Sequence, residues 1–186
     1  MRPAYPIRTE RLLLRPFEPG DVDDLHAYLR LSEVARFLYT EPAIDRQASQ
    51  ATLERKARQG EIRAEGDTLS LAVVEAASVR VIGDVLLHYL SAVHCQGEIG
   101  FVFSPQYHGR GLAREAAAVM LDLGFGQLGL HRIVARCDAR NLASSRLMER
   151  LGMRREAHLV QNEFVKGEGT DELVYAIRAR EWSRRD

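Results

Sequence analysis

The chain has 186 residues, of which 46% are hydrophobic and 28% are charged, a composition typical of a folded domain and not of a disordered chain. Basic and acidic side chains number 26 each, so the net charge is zero, which argues against direct nucleic-acid binding by bulk positive potential. No apolar stretch reaches the roughly 18 residues that a membrane helix needs. We therefore expect one cytoplasmic domain over residues 1–186, without a membrane partner.

The first half of the chain predicts a strand, two helices and three further strands. The first strand covers residues 12–16 and ends at a turn of glutamate, proline and glycine. Asp21 is placed to cap a helix, because Val22, Leu25 and Tyr28 follow at helical spacing. Residues 45–63 predict a second, largely exposed helix. The three strands are predicted at residues 68–75, 79–90 and 98–104.

The second half predicts helices alternating with strands. A helix with one apolar face begins at Leu112, and a short strand follows over residues 132–138. Asn141 caps another helix, which ends before Gly152. Two last strands are predicted at residues 155–165 and 172–179. This order indicates an α/β sandwich, in which a mixed central sheet carries helices on both faces.

A strand leads through Gly109 and Gly111 directly into the amphipathic helix. Glycine permits positive φ, and the first amides of a helix are free to bind a phosphate. Taken alone, the glycine spacing favours an ordinary tight turn over a phosphate site. A P-loop is absent because no GxxxxGK[ST] pattern occurs, and a dinucleotide fingerprint is absent because Arg114 replaces its third glycine.

The wider pattern resembles the GCN5-related N-acetyltransferase (GNAT) family. Gln106, Gly109 and Gly111 match its [QR]-x-x-G-x-[GA] signature. Further matches occur in the family's order: Thr9-Glu10-Arg11-Leu12-Leu13-Leu14-Arg15, Glu98-Ile99-Gly100-Phe101, Gly129-Leu130-His131-Arg132-Ile133, Asn141-x-Ala143-Ser144, Glu149-x-Leu151-Gly152-Met153 and Arg180-Glu181-Trp182. The opening heptapeptide is similar to that of the ribosomal-protein-alanine acetyltransferase branch.

This resemblance implies a mostly antiparallel sheet that splays between the strand from Glu98 to Ser104 and the strand from Arg132 to Asp138. It also implies that acetyl-CoA binds in the splay. The residues implied to bind it are Phe101, Val102, Phe103, Gln106, His108, Gly109, Arg110, Gly111, Leu112, Ala113, Asn141 and Ser144. His108, Leu112 and Arg114 replace a tryptophan, a tyrosine and a hydroxyl residue that are usual in this branch, but none removes a main-chain donor.

The implied reaction moves the acetyl group of acetyl-CoA to a primary amine, here a protein or peptide N-terminal α-amine. A small-molecule amine, such as an amino acid, polyamine or drug, is an alternative acceptor. A non-catalytic domain that senses acyl-CoA is an alternative function, and a homodimer is an open alternative for assembly. No metal is expected, because the two cysteines, Cys95 and Cys137, and the six histidines lack the spacing of metal-binding motifs.

Acetyl transfer to an amine needs a base for the ammonium proton and an acid for the departing thiolate. By its position before the last hairpin turn, Glu163 matches the base of the ribosomal-protein branch, and Glu98 competes with it. Either carboxylate could instead be a solvated charge on a strand face. The resemblance implies that Ser144 can protonate the thiolate. The tyrosine acid that many relatives carry in this helix is missing between Asp138 and Gly152, which favours Ser144. From the residues alone, a serine at a helix start is equally well explained by bonding to main chain.

Overall fold

The computed structural model describes residues 1–182. Segments rich in β-branched and other apolar residues form strands, which pair into one eight-stranded sheet. Its spatial order is β1-β2-β3-β4-β5-β6-β8-β7. Neighbouring strands are antiparallel except β5 and β6, which are parallel. The strands are β1 Ile7–Arg8, β2 Leu12–Arg15, β3 Thr68–Glu75, β4 Arg80–Ser91, β5 Gln96–Phe103, β6 Arg132–Asp138, β7 Arg154–Val165 and β8 Glu168–Arg178.

Helices cover both faces of this sheet, as predicted. They are α1 Val22–Leu29, α2 Ser32–Ala35, α3 Arg46–Ala57, α4 Leu112–Asp122, α5 Leu142–Arg150 and α6 Ala179–Trp182, and a π-helical turn, Leu123–Gln127, extends α4. Apolar side chains of α4 and α5 form one core with the sheet, and those of α1 and α3 form a second core on the other face. No helix within the described residues is long and apolar enough to cross a membrane.

The parallel strands β5 and β6 pair over three residues and then separate. Gln96, Gly97 and Glu98 pair with β6, but the register stops there, although β5 continues to Phe103 and β6 to Asp138. The sheet therefore opens as a V whose inner strand edges have no strand partner within the described residues. The predicted fold class, including the splay at these two strands, is confirmed.

The observed elements differ from the predicted ones at a few places. Strand β8 begins at Glu168, four residues earlier than predicted, because Lys166 and Gly167 both take positive φ and form the hairpin turn alone. Helix α3 is shorter than predicted and ends at Ala57. Asp21 occupies the cap position of α1, but its carboxylate accepts from Arg15 and from the Glu18 amide instead of the helix amides.

Candidate active site

The loop between β5 and α4 is shaped by its two glycines. Gly109 has φ +76° and Gly111 has φ +79°, a region that residues with a Cβ rarely adopt. Gly111 is the N-cap of α4, so the first amides of that helix point out of the loop with the positive end of the helix dipole. No protein atom lies within 4 Å of the place where a Cβ of Gly109 would be. The loop is thus open at Gly109, and the first amides of α4 have no partner inside the helix, an arrangement that fits a phosphate group.

Side chains from the turn between β1 and β2 hold this loop in position through hydrogen bonds. Glu115, in the first turn of α4, accepts from Thr9 Oγ1 at 2.6 Å, from the Arg11 amide at 2.9 Å and from Arg11 Nε at 2.8 Å. Arg11 Nη1 also donates to the Arg110 carbonyl at 2.9 Å. Burial alone would raise the pKa of Glu115, but these hydrogen bonds outweigh it and lower that pKa. Thr9 and Arg11 of the opening heptapeptide therefore hold the cofactor loop in place.

A groove of about 470 Å³ runs from the open V along this loop and along α5. Ten of the predicted cofactor residues line it: Phe101, Val102, Phe103, His108, Gly109, Gly111, Leu112, Ala113, Asn141 and Ser144. Gln106 and Arg110 are absent from this lining. Gln106 lines a separate cavity of about 150 Å³ beside Tyr28, and the Arg110 guanidinium pairs with Glu75 at 2.6 Å. Neither residue therefore lines the groove.

Asn141 and Ser144 offer free polar groups at the start of α5. The Asn141 Oδ1 atom accepts from the Ser144 amide at 3.1 Å, which caps the helix. The Asn141 Nδ2 group and the Ser144 hydroxyl have no partner within the described residues, and both residues line the groove. They can therefore serve a ligand without breaking the helix cap.

An acidic pocket of about 130 Å³ adjoins the groove, and Phe37 lines both. Six carboxylates line this acidic pocket: Glu98, Asp138, Glu163, Glu168, Asp171 and Glu172. Four basic side chains line it as well: Arg36, Arg136, Arg140 and Lys166. Groups of three or more side chains arranged to hold a metal ion are absent from the described residues.

The two base candidates lie in the same acidic pocket but in different surroundings. Arg136 approaches Glu98 at 3.6 Å and Glu172 at 3.7 Å, whereas Glu163 has no ion pair within the described residues. Burial raises the pKa of Glu98, and the Arg136 charge opposes that rise. Burial also raises the pKa of Glu172, whose Oε2 accepts from Asn162 at 3.0 Å.

Sequence reasoning missed Glu172 and Phe37 as site residues. Glu172 was expected at the first position of a strand, and only the earlier start of β8 places it in the strand interior, opposite Asp138. Phe37 lies between α2 and α3, in a segment without helical or strand periodicity. Only the pairing of β8 with β6 reveals the position of Glu172, and no sequence signal marked Phe37.

Comparison with known proteins identifies the family. A family model described as an acetyltransferase (GNAT) domain matches residues 11–154. The uncharacterized N-acetyltransferase YnaD of Bacillus subtilis (strain 168) is 32% identical over 177 residues, which cover 95% of this chain and 99% of the relative. A crystal structure of an acetyltransferase (GNAT family) from Bacillus anthracis has a TM-score of 0.83 at 32% identity, and the match covers 94% of this chain and 99% of that chain.

A further relative is the spermidine N(1)-acetyltransferase of Vibrio cholerae serotype O1, which is 31% identical over 113 residues, or 60% of this chain and 65% of the relative. The family resemblance seen in the sequence motifs is confirmed, and with it the dependence on acetyl-CoA. The chain belongs to the GNAT acetyltransferase family and is an acyltransferase that uses acetyl-CoA.

Proposed function

We propose that the chain transfers the acetyl group of acetyl-CoA to a positively charged primary amine bound in the acidic pocket. One observation supports this proposal most. A groove that fits coenzyme A meets, at Phe37, a pocket lined by more carboxylates than cations. An ammonium group is attracted by the excess negative charge and reaches the point where the groove ends. The similarity to a spermidine acetyltransferase supports a cationic acceptor.

The groove residues bind and orient the acetyl donor. The amides at Gly111 and at the start of α4 hold the pyrophosphate, and the unpaired edge of β5 and the Asn141 amide hold the pantetheine arm. When acetyl-CoA is bound, it supplies a thioester, whose carbonyl is the electrophile. The splayed strands then present that carbonyl to the acidic pocket.

Glu163 is the proposed base and Ser144 the proposed acid. The Glu163 carboxylate has no ion pair within the described residues, so it can accept the ammonium proton and release a neutral amine. The Ser144 hydroxyl, which has no partner in the described part of the chain, can donate its proton to the departing thiolate. Glu98 is the alternative base, since its raised pKa makes it a stronger proton acceptor once it is ionised.

A protein or peptide N-terminal α-amine is the second candidate acceptor. Tyr39 lines the acidic pocket and is 73% exposed, so its ring offers a surface against which a longer chain can pack. The opening heptapeptide, which is similar to the ribosomal-protein branch, supports the same candidate.

Release of coenzyme A, followed with a thiol reagent, tests these candidates. The acceptors to compare are spermidine, a monoamine of similar length and a peptide with a free N-terminal alanine. We expect kcat/KM for spermidine to exceed that for the monoamine about tenfold or more, and to fall with added salt, because a second positive charge meets the acidic pocket. Faster turnover of the peptide would establish the second candidate, and a preference for the monoamine would refute a charge-selective pocket.

A further inference from the structure

Three arginines form a cluster, here named the arginine rim, along the part of the groove that lies beyond Asn141 and Ser144. Arg114 belongs to the first turn of α4, and Arg146 and Arg150 lie four positions apart on α5, so the latter two share one helix face. All three side chains line the groove. Arg114 Nε donates to the Arg150 carbonyl at 3.2 Å, which joins the two helices at this point.

The arginine rim has no internal counter-charge. None of its three guanidinium groups pairs with a carboxylate of the described residues, whereas the neighbouring Arg110 is paired with Glu75. The groove lining includes one carboxylate among the described residues, Glu33, which belongs to α2. Three adjacent positive charges repel one another, so their arrangement favours a bound anion.

The position of the arginine rim follows the order of groups along coenzyme A. The pantetheine arm is placed near Asn141 and the pyrophosphate near Gly111, under the function proposed above. Helix α5 carries the groove onward for nine residues, a rise of roughly 13 Å, and ends at Arg150. Beyond the pyrophosphate, coenzyme A carries one more anionic group, the 3′-phosphate of its ribose.

We propose that the arginine rim, Arg114, Arg146 and Arg150, binds the 3′-phosphate of coenzyme A and thereby selects it against forms that lack this phosphate. The planar guanidinium group matches phosphate oxygens in pairs, and three of them surround one dianion. The inference rests on the proposed function, because it uses the same groove and the same direction of the cofactor. It also gives a role to Arg114, where related sequences have a hydroxyl residue.

Isothermal titration calorimetry with coenzyme A and with 3′-dephospho-coenzyme A tests the proposal without any acceptor amine. The parent chain should bind coenzyme A at least about tenfold more tightly than the dephospho form, since charge-assisted hydrogen bonds to one phosphate are lost. The double variant Arg146→Ala and Arg150→Ala should bind both forms with nearly equal affinity. Arg55→Ala, an exposed arginine on α3 outside the groove, is the matched control and should keep the preference.

Equal affinity of the parent chain for the two ligands would overturn the proposal and leave the acetyl-CoA groove standing. An equal loss of affinity for both ligands in the double variant would also overturn it, because the arginines would then serve the pyrophosphate. If the parent chain bound neither ligand, the groove assignment itself would fail, and the failure would lie with the proposed function. Circular dichroism of each variant confirms that the fold is kept.

Discussion

Arg136 divides the carboxylates of the acidic pocket into two kinds. It lies between Glu98 and Glu172, at 3.6 and 3.7 Å, and balances their charges in part. Glu163 has no such partner within the described residues and lies on β7, the strand at the edge of the sheet. A carboxylate that is not held by a guanidinium group can move toward an incoming ammonium group. This difference is the reason for assigning the base to Glu163.

Replacement of Glu163 by glutamine should lower kcat about a hundredfold or more, which is the usual contribution of a general base. The dissociation constant of acetyl-CoA should change little, because the carboxylate acts on the amine. Steady-state kinetics and calorimetry of acetyl-CoA binding measure these two effects.

Two further variants serve as comparisons for Glu163→Gln. Ser144→Ala should lower kcat by a smaller factor, because water can protonate a thiolate that is already a fair leaving group. Glu98→Gln should retain most of the activity. A silent Glu163→Gln beside an inactive Glu98→Gln would instead place the base on β5, where the strands separate.

At the scale of elements, the turn between β1 and β2 and helix α4 act together on the cofactor loop. The contacts of Thr9 and Arg11 with Glu115 connect the edge of the sheet to the first turn of α4. The loop amides are thus fixed before the cofactor arrives, which lowers the entropy cost of binding.

Gly111→Val should abolish measurable coenzyme A binding, because φ +79° at the N-cap of α4 is strained for a β-branched residue. Gly66→Val provides a matched control. Gly66 has φ +89° and no atom within 4 Å of its missing Cβ, and it lies outside the groove. Both variants should lose stability, roughly 1–3 kcal/mol each, in thermal unfolding. Loss of coenzyme A binding in both variants would show that strain alone, and not the loop geometry, prevents binding.

Sequence periodicity predicted α4, which has one apolar face, whereas β3 is an apolar run that is buried along nearly its whole length. The splay between β5 and β6 was predicted from the family resemblance alone, because strand pairing between distant segments leaves no local pattern. The groove that fits the acetyl donor is built largely from a local motif around Gly111, so its residues could be predicted from the sequence. The acidic pocket combines Glu98, Phe37 and Glu172 from three distant segments, and only the folded sheet brings them together.

The whole molecule separates its charges although its net charge is zero. The groove carries the unpaired arginine rim, and the acidic pocket carries the carboxylate excess. Under the proposed function, the anionic cofactor and the cationic amine are each attracted to a different entrance, and this attraction weakens with salt. Burial of carboxylates in the acidic pocket makes the free energy of folding less favourable.

Glu172→Gln should not destabilise the folded protein at neutral pH, and its melting temperature there should equal or exceed that of the parent. The Glu172 residue is 3% exposed and its pKa is raised, so the folded state binds its proton more tightly than the unfolded state does. The stability from this group is therefore fully present below the unfolded pKa of roughly 4.3 and is lost as pH rises through the raised folded pKa. Thermal unfolding of both proteins between about pH 4 and 8 measures the difference, which should shrink toward the acidic end.

Glu115→Gln is the control of opposite sign. The pKa of Glu115 is lowered, so its stability is present above the unfolded pKa and is lost as pH falls through the folded pKa. Its replacement should therefore lower the melting temperature at neutral pH, and this loss should diminish in acid. If Glu172→Gln followed the same course, the Glu172 carboxylate would be a stabilising partner of Arg136 and Asn162. Opposite courses of the two variants would show that the fold does not need the negative charge of Glu172, which leaves this charge available to the proposed acceptor amine.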